Sequence, residues 1–96
     1  MQAQKLDYAL VALLGTGRDP RTDHPVYLTD PIRVDVEFRR HPTDADRRAV
    51  ARLGGLCRAE RADRLTIVAP ALSLGPLTDL PSVAKLHLTQ ASAGAP

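Results

Sequence analysis

The sequence is poor in the residues that usually stabilise or activate a small protein. It has no Trp and no Asn, one Cys, and three aromatic residues, Tyr8, Tyr27 and Phe38. A single cysteine excludes an internal disulfide, and with so few rings the core has to be built from Leu, Val, Ile and Ala. A chain of 96 residues forms one domain, and we expect its free energy of unfolding to be only a few kcal/mol.

Long hydrophobic runs are also missing. The run at residues 8–14 is far shorter than the ~20 apolar residues of a membrane-spanning helix. Lys5 followed by Asp7 is a poor beginning for a signal peptide, and no clear cleavage site follows. The sequence therefore predicts a soluble cytoplasmic protein that does not bind a membrane.

Motifs for catalysis, metal binding and phosphate binding are missing as well. Apart from Asp23 beside His24, the histidines His24, His41 and His87 have no partner at the spacing of a metal site. Gly15-Thr16-Gly17 lacks the third glycine and the preceding strand of a phosphate loop, and no Gly-x-Ser-x-Gly is present. We therefore predict that the chain is not an enzyme and needs no cofactor and no metal.

Arginine supplies nearly all of the positive charge. Eight of the eleven arginines fall between Arg39 and Arg64, and the formal net charge is +2. Five acids lie among or beside them, Glu37, Asp44, Asp46, Glu60 and Asp63. Mixed signs of this kind are typical of a solvated, salt-bridged surface. The acids also weaken the positive field that nucleic-acid binding needs, so we predict no nucleic-acid partner.

The clearest local element is a strand at residues 32–39. Its apolar residues alternate strictly with polar ones, which predicts one buried face and one solvated face. The apolar set is Ile32, Val34, Val36 and Phe38, and the polar set is Arg33, Asp35, Glu37 and Arg39.

A helix start follows this strand. Thr43 is suited to cap the helix, and Asp46 is placed to reach back to it in a variant of the capping box. The glycine pair Gly54-Gly55 is predicted to end the helix, with one glycine in the left-handed conformation. The predicted buried stripe consists of Ala49, Val50 and Leu53.

The second half of the unit predicts a hairpin, a short helix and a last strand. Two strands at residues 56–61 and 65–69 form the hairpin, and Cys57 in the first of them is interpreted as a small buried hydrophobe. Leucines at near-helical spacing predict a short helix that ends at Pro81; they are Leu72, Leu74, Leu77 and Leu80. The last strand covers residues 83–89, and its predicted buried face is Ala84, Leu86 and Leu88.

The two ends of the chain are predicted to lie outside this unit. Residues 1–31 form an N-terminal extension in which the leucines fall at helical spacing, although a strand at residues 8–14 is the alternative; these leucines are Leu6, Leu10, Leu13 and Leu14. Residues 18–31 are rich in Pro and Asp and predict a connecting loop. Residues 90–96 predict a flexible tail.

Together the elements predict an α+β domain of the ferredoxin-like βαββαβ plan. It would have a four-stranded antiparallel sheet with two helices on one face, plus the N-terminal helix or strand. Fold alone does not identify function, but this sequence lacks the characteristic residues of several protein classes that share the fold. RNA-recognition domains need aromatic residues on the central strands, metallochaperones need Cys-x-x-Cys, and acylphosphatases need a catalytic Asn. An amino-acid-binding regulatory domain stays open, although its Gly-rich ligand loop has no counterpart after Phe38.

Residues 32–89 resemble subtilisin-type propeptides, small domains that help serine proteases to fold and then inhibit them. The most family-like pieces are Gly54-Gly55 and the closing phrase Leu80-Pro81-Ser82-Val83-Ala84-Lys85-Leu86. The resemblance implies a free-standing inhibitor or folding chaperone of a subtilisin-like serine protease. In that family the outer sheet face packs on the enzyme, and the segment after the last strand lies in the substrate cleft as an added strand.

The resemblance further implies which residues would contact the protease. Those in the cleft would be Leu88, Thr89, Gln90 and Ala91. Those on the sheet face would be Arg33, Asp35, Glu37, Lys85 and His87, while Glu60 and Asp63 would cap exposed helix N-termini of the enzyme. Thr or Gln in the cleft departs from the apolar or large residue that such proteases often prefer. The alternative is a non-enzymatic interaction or adaptor module, or a homodimer, that uses the same sheet or an edge strand.

Overall fold

The computed structural model describes residues 1–89, and this part of the chain contains four strands and three helices. The strands are β1 (Pro31–Phe38), β2 (Leu56–Arg61), β3 (Arg64–Pro70) and β4 (Val83–Leu88). The helices are α1 (Tyr8–Thr16), α2 (Asp44–Arg52) and α3 (Leu74–Thr78). The strands form one antiparallel sheet in the order β2-β3-β1-β4. This is the ferredoxin-like arrangement that the order of elements predicts, with an additional N-terminal element.

The alternating pattern of β1 divides the molecule into a dry face and a wet face. Its four apolar residues are buried, whereas Arg33 is exposed and Asp35 and Glu37 are half-buried on the other face. The buried apolar side chains of the sheet and of all three helices belong to a single cluster. The helices therefore pack on one face of the sheet, and the strict alternation explains why.

The start of α2 is fixed by the predicted capping box. The Thr43 hydroxyl accepts a hydrogen bond from the Asp46 backbone N–H at 3.2 Å, and the Thr43 N–H donates to the Asp46 carboxylate at 2.8 Å. Both N–H groups would otherwise lack a partner in the first turn. The prediction of this cap is confirmed.

Both glycines after α2 have a structural reason. Gly54 has φ +91°, a conformation that L side chains rarely adopt. A Cβ on Gly55 would lie 2.5 Å from the Cγ1 of Val50, inside the packed core. The Gly54-Gly55 junction is therefore explained by a helix end and a close approach.

The N-terminal segment closes the β4 edge of the sheet. Leu6 pairs in parallel with Leu86, and the Asp7 backbone N–H donates to the Leu86 carbonyl at 3.0 Å. One carboxylate oxygen of Asp7 accepts the Leu88 N–H at 3.0 Å, and the other accepts the Leu10 N–H at 2.8 Å, which caps α1. One acidic side chain thus joins the sheet edge to the start of a helix.

α1 confirms the helical prediction for the first unit, and the strand alternative is wrong. Leu10 and Leu13 are fully buried in the common cluster, together with Leu6. The helix ends where Gly17 adopts a left-handed conformation at φ 70°. Residues 1–17 are therefore part of the same core as the sheet.

Two details of the sheet correct the sequence-based predictions. Cys57 is exposed, because β2 is an edge strand whose six residues are all exposed. In β4, Val83 is buried and Ala84 only half-buried, because a register shift after Glu37 pairs Phe38 with Val83. Pairing between strands, and not alternation alone, decides the buried face there.

We predict that Leu10→Ala destabilises the whole domain by about 2–5 kcal/mol, because it leaves a cavity in the common core. The matched control is Val11→Ala on the same helix, where the side chain is 47% exposed and the expected loss is under about 0.5 kcal/mol. Urea unfolding followed by circular dichroism measures both. Equal, small losses for the two variants would contradict the integration of residues 1–17 into the core.

Candidate functional site

One face of the sheet carries no helix, and we call it the open face. Its residues are the outward side chains of β1, β3 and β4, namely Arg33, Asp35, Glu37, Arg64, Thr66, Val68, Lys85 and His87. All five sheet-face residues that the resemblance implies lie in this set. The pairing register brings four of them together, because Asp35 is opposite His87 and Glu37 is opposite Lys85.

The centre of the open face is ordered by polar contacts between strands. Nε2 of His87 lies 2.9 Å from the Glu37 carboxylate, and Arg64 donates to the same oxygen at 3.2 Å. The Thr66 hydroxyl donates to Asp35 at 2.6 Å. The acids of β1 are therefore held by their neighbours and present a fixed pattern of charge.

Two cations at the margins of the open face do not take part in these contacts between strands. Arg33 and Lys85 are exposed, and neither forms an ion pair with any residue in the described range 1–89. Their charges are available to a partner. A partner with acidic groups over these two positions would match the face.

The end of β4 is fastened to the body of the domain. Leu88 is 6% exposed and belongs to the core. The Thr89 N–H donates to the Arg33 carbonyl at 3.2 Å, and Arg21 donates to the Thr89 carbonyl at 2.6 Å. Of the implied cleft segment, only Thr89 is therefore placed at the border of the open face. Gln90 and Ala91 lie outside the described residues.

Arg21 is a positioning residue that the sequence pattern does not reveal. Asp19 holds its guanidinium through two hydrogen bonds, at 3.1 and 2.8 Å. The hydrogen bond from Arg21 keeps the pKa of the Asp19 carboxyl below its ordinary value. This contact joins residue 21 to residue 89, and no local motif marks such a pair. A loop rich in Pro and Asp gave no signal that one of its arginines fixes the end of the last strand.

The two acids outside the open face take different positions. Glu60 points to the helix side of the sheet, where Arg47 donates to both of its oxygens at 2.8 Å. This pairing lowers the pKa of Glu60 below its ordinary value. Asp63 is exposed in the turn between β2 and β3, and its backbone carbonyl accepts the Phe38 N–H at 2.8 Å. Among residues 1–89 the Asp63 carboxylate has no hydrogen-bond or ion-pair partner, whereas Glu60 is already paired with Arg47.

A depression of about 390 Å³ lies on the open-face side of the sheet. Its walls include Asp35, Arg64 and Thr66 at the centre, Arg61 at one side and Thr89. Because Thr89 lines this depression, the chain leaves the last strand beside it. A side chain of a partner would fit here against polar walls.

A larger groove of about 560 Å³ near the start of α2 has a structural explanation. Asp46 lies in its wall and is 7% exposed. Its carboxylate accepts hydrogen bonds from Arg40 at 2.7 Å, from the Thr43 N–H at 2.8 Å and from the Ser82 hydroxyl at 2.8 Å. These contacts join the β1–α2 loop, the helix and the approach to β4. Because the Asp46 carboxylate already accepts these hydrogen bonds, it is not available to a ligand in the groove.

Residues 1–89 contain no group of three or more His, Cys, Asp or Glu that could hold a metal ion. Within the same range, every helix is too short or too polar to cross a membrane. Comparison with protein-family models, curated proteins and solved structures finds no match for this chain.

We predict that Asp46→Asn lowers the free energy of unfolding by about 1–3 kcal/mol at pH 7, and by about 1 kcal/mol less than that at pH 3. Burial alone would raise the pKa of Asp46, but the hydrogen bonds from Arg40, Thr43 and Ser82 outweigh it and hold the pKa well below the ordinary 3.8. The stability that the carboxylate supplies is therefore fully present above about pH 4, and it is lost gradually as the pH falls from there through the lowered pKa of the folded state.

Urea unfolding of the wild type and of Asp46→Asn at the two pH values tests this prediction. Asp44→Asn is the matched control, because the Asp44 side chain is in the same helix turn but 86% exposed. We expect Asp44→Asn to change stability little at either pH. An Asp46→Asn deficit of equal size at pH 7 and pH 3 would contradict the role of the ionised carboxylate.

Proposed function

We propose that this chain is a protein-binding domain that acts on a subtilisin-like serine protease as an inhibitor or folding chaperone. The observation that carries the proposal is the open face: a sheet face without helices, with ordered acids at its centre and free cations at its margins. The chain leaves β4 at the border of this face. The same arrangement of face and exit is what the resemblance to propeptides implies.

In the proposed complex the open face packs on the enzyme and the chain after β4 enters the substrate cleft. An extended segment there gains backbone hydrogen bonds as an added strand, and pockets of the enzyme select its side chains. Because Leu88 belongs to the core, the segment available to the cleft begins at Thr89 and continues through Gln90 and Ala91. Release of the Arg21 contact would free the Thr89 carbonyl for the enzyme.

The remaining charged residues would have different roles in the complex. Arg33 and Lys85 would pair with acids of the enzyme surface, and Asp63 would cap a helix N-terminus. Glu60 would keep its hydrogen bonds to Arg47 and would not contact the enzyme. Breaking two charge-assisted hydrogen bonds would lose more stabilisation than capping an exposed helix N-terminus would supply.

A non-inhibitory adaptor that uses the same open face is the second candidate. It is favoured by the fastening of Leu88 and Thr89, which holds the end of β4 on the domain instead of extending it. This candidate predicts that binding survives removal of residues 90–96.

Inhibition of a panel of subtilisin-like proteases tests the first proposal. We expect sub-micromolar inhibition by the full chain and a loss of at least about tenfold when the chain is truncated after Thr89. The double variant Arg33→Glu/Lys85→Glu should also weaken inhibition, because it reverses the two free charges of the open face. Recovery of active protease after refolding with and without the chain separates a chaperone from an inhibitor.

The matched control is Arg48→Glu/Arg52→Glu, which reverses two exposed charges on α2, on the other face of the sheet. It should inhibit like the wild type. Digestion of the intact chain by every protease of the panel, without inhibition, would refute the inhibitor proposal. Binding that survives truncation but is lost with Arg33→Glu/Lys85→Glu would establish the adaptor instead.

A further inference from the structure

The two edges of the sheet differ. The β4 edge is covered by Leu6 and Asp7, as the hydrogen bond from Asp7 to Leu86 shows. The β2 edge has no neighbour among residues 1–89, and all six of its residues are exposed, with Leu56 58% exposed. An open edge offers unpaired N–H and C=O groups to another strand. The structure therefore has one edge that accepts a further strand.

The sequence of β2 is complementary in charge to itself. Arg58 and Glu60 flank Ala59, so a second copy running antiparallel about a two-fold axis at Ala59 places each arginine opposite the other copy's glutamate. We propose that two copies of this chain pair through β2 in this register and form a continuous eight-stranded sheet. Closed two-fold pairing is the commonest symmetry of protein oligomers.

The contacts around β2 support this occupant. Opposite charges directly across an antiparallel pair stabilise it, and the register forms two such pairs at once. Glu60 is already oriented by Arg47, whereas Arg58 forms no ion pair within the described range. The small Ala59 at the axis lets the two backbones approach.

The same strand also carries features that keep other strands away. The β2–β3 ladder is interrupted by an irregularity between Cys57 and Ala59, and Arg58 and Arg61 line the exposed edge. Bulges and charges of this kind protect an edge from indiscriminate pairing. A second copy in the proposed register supplies the acid that Arg58 lacks, and a strand without that acid does not.

This inference is independent of the protease proposal. β2 and β4 are at opposite edges of the sheet. A dimer through β2 therefore leaves the end of β4 and the cations Arg33 and Lys85 accessible, although Ala59 and Glu60 also line the depression on the open face. Loss of inhibition with retention of the dimer, or the reverse, would separate the two proposals.

Sedimentation equilibrium of the wild type and two charge variants tests the dimer. The wild type should shift with concentration from the monomer mass of 10.4 kDa to twice that mass. Arg58→Glu alone and Glu60→Arg alone should each weaken association at least about tenfold, because each sets like charges opposite one another. An equimolar mixture of the two variants should regain the dimer, because it restores opposite charges in both pairs.

The control for charge is Arg48→Glu on α2, which should dimerise like the wild type. A second measurement uses Ala59→Cys in a Cys57→Ser background, where oxidation should join two copies at the two-fold axis. Tyr27→Cys in the same background, exposed in the loop before β1, should not cross-link above the level of random collision. A wild type that stays monomeric, or a mixture no more dimeric than its components, would overturn the proposal.

Discussion

β1 is hydrogen-bonded on both sides, to β3 and to β4, and its alternating side chains decide which face of the sheet is dry. Four apolar residues of this strand reach the common core, and the three polar residues between them begin the open face. A shift of β1 by one residue would exchange the two sets. The positions of the helices, of the core and of the candidate binding surface all depend on this single register.

The segment before β1 makes the two edges of the sheet different. By pairing with β4 and placing Leu10 and Leu13 in the core, it covers one edge and leaves β2 at the other. The proposed functions follow from what remains uncovered. The open face and the exit from β4 serve the proposed protease complex, while the β2 edge serves the proposed dimer.

Local chemistry made much of the fold predictable. The alternation at residues 32–39 predicts β1 and the outward direction of Arg33, Asp35 and Glu37. The Thr43–Asp46 pair predicts the start of α2. Such signals act over two to four residues, so they can be read without knowing what the chain packs against. The glycine pair predicts a helix end for the same reason, and the close approach of Gly55 to Val50 gives the second glycine a packing role as well.

What the sequence by itself determined is the set of elements and the side of β1 that faces water, because strand and helix periods are local properties. Tertiary structure decided the rest. Cys57 is exposed because strand order puts β2 at an edge, and Glu60 turns from the open face to Arg47 because an irregularity after Cys57 changes the alternation of that strand. Likewise, Arg21 and Asp7 fix the two sides of β4 through contacts 68 and 81 residues away in sequence. Pairs so far apart leave no periodic trace in a single sequence, since their spacing is set only when the sheet and core assemble.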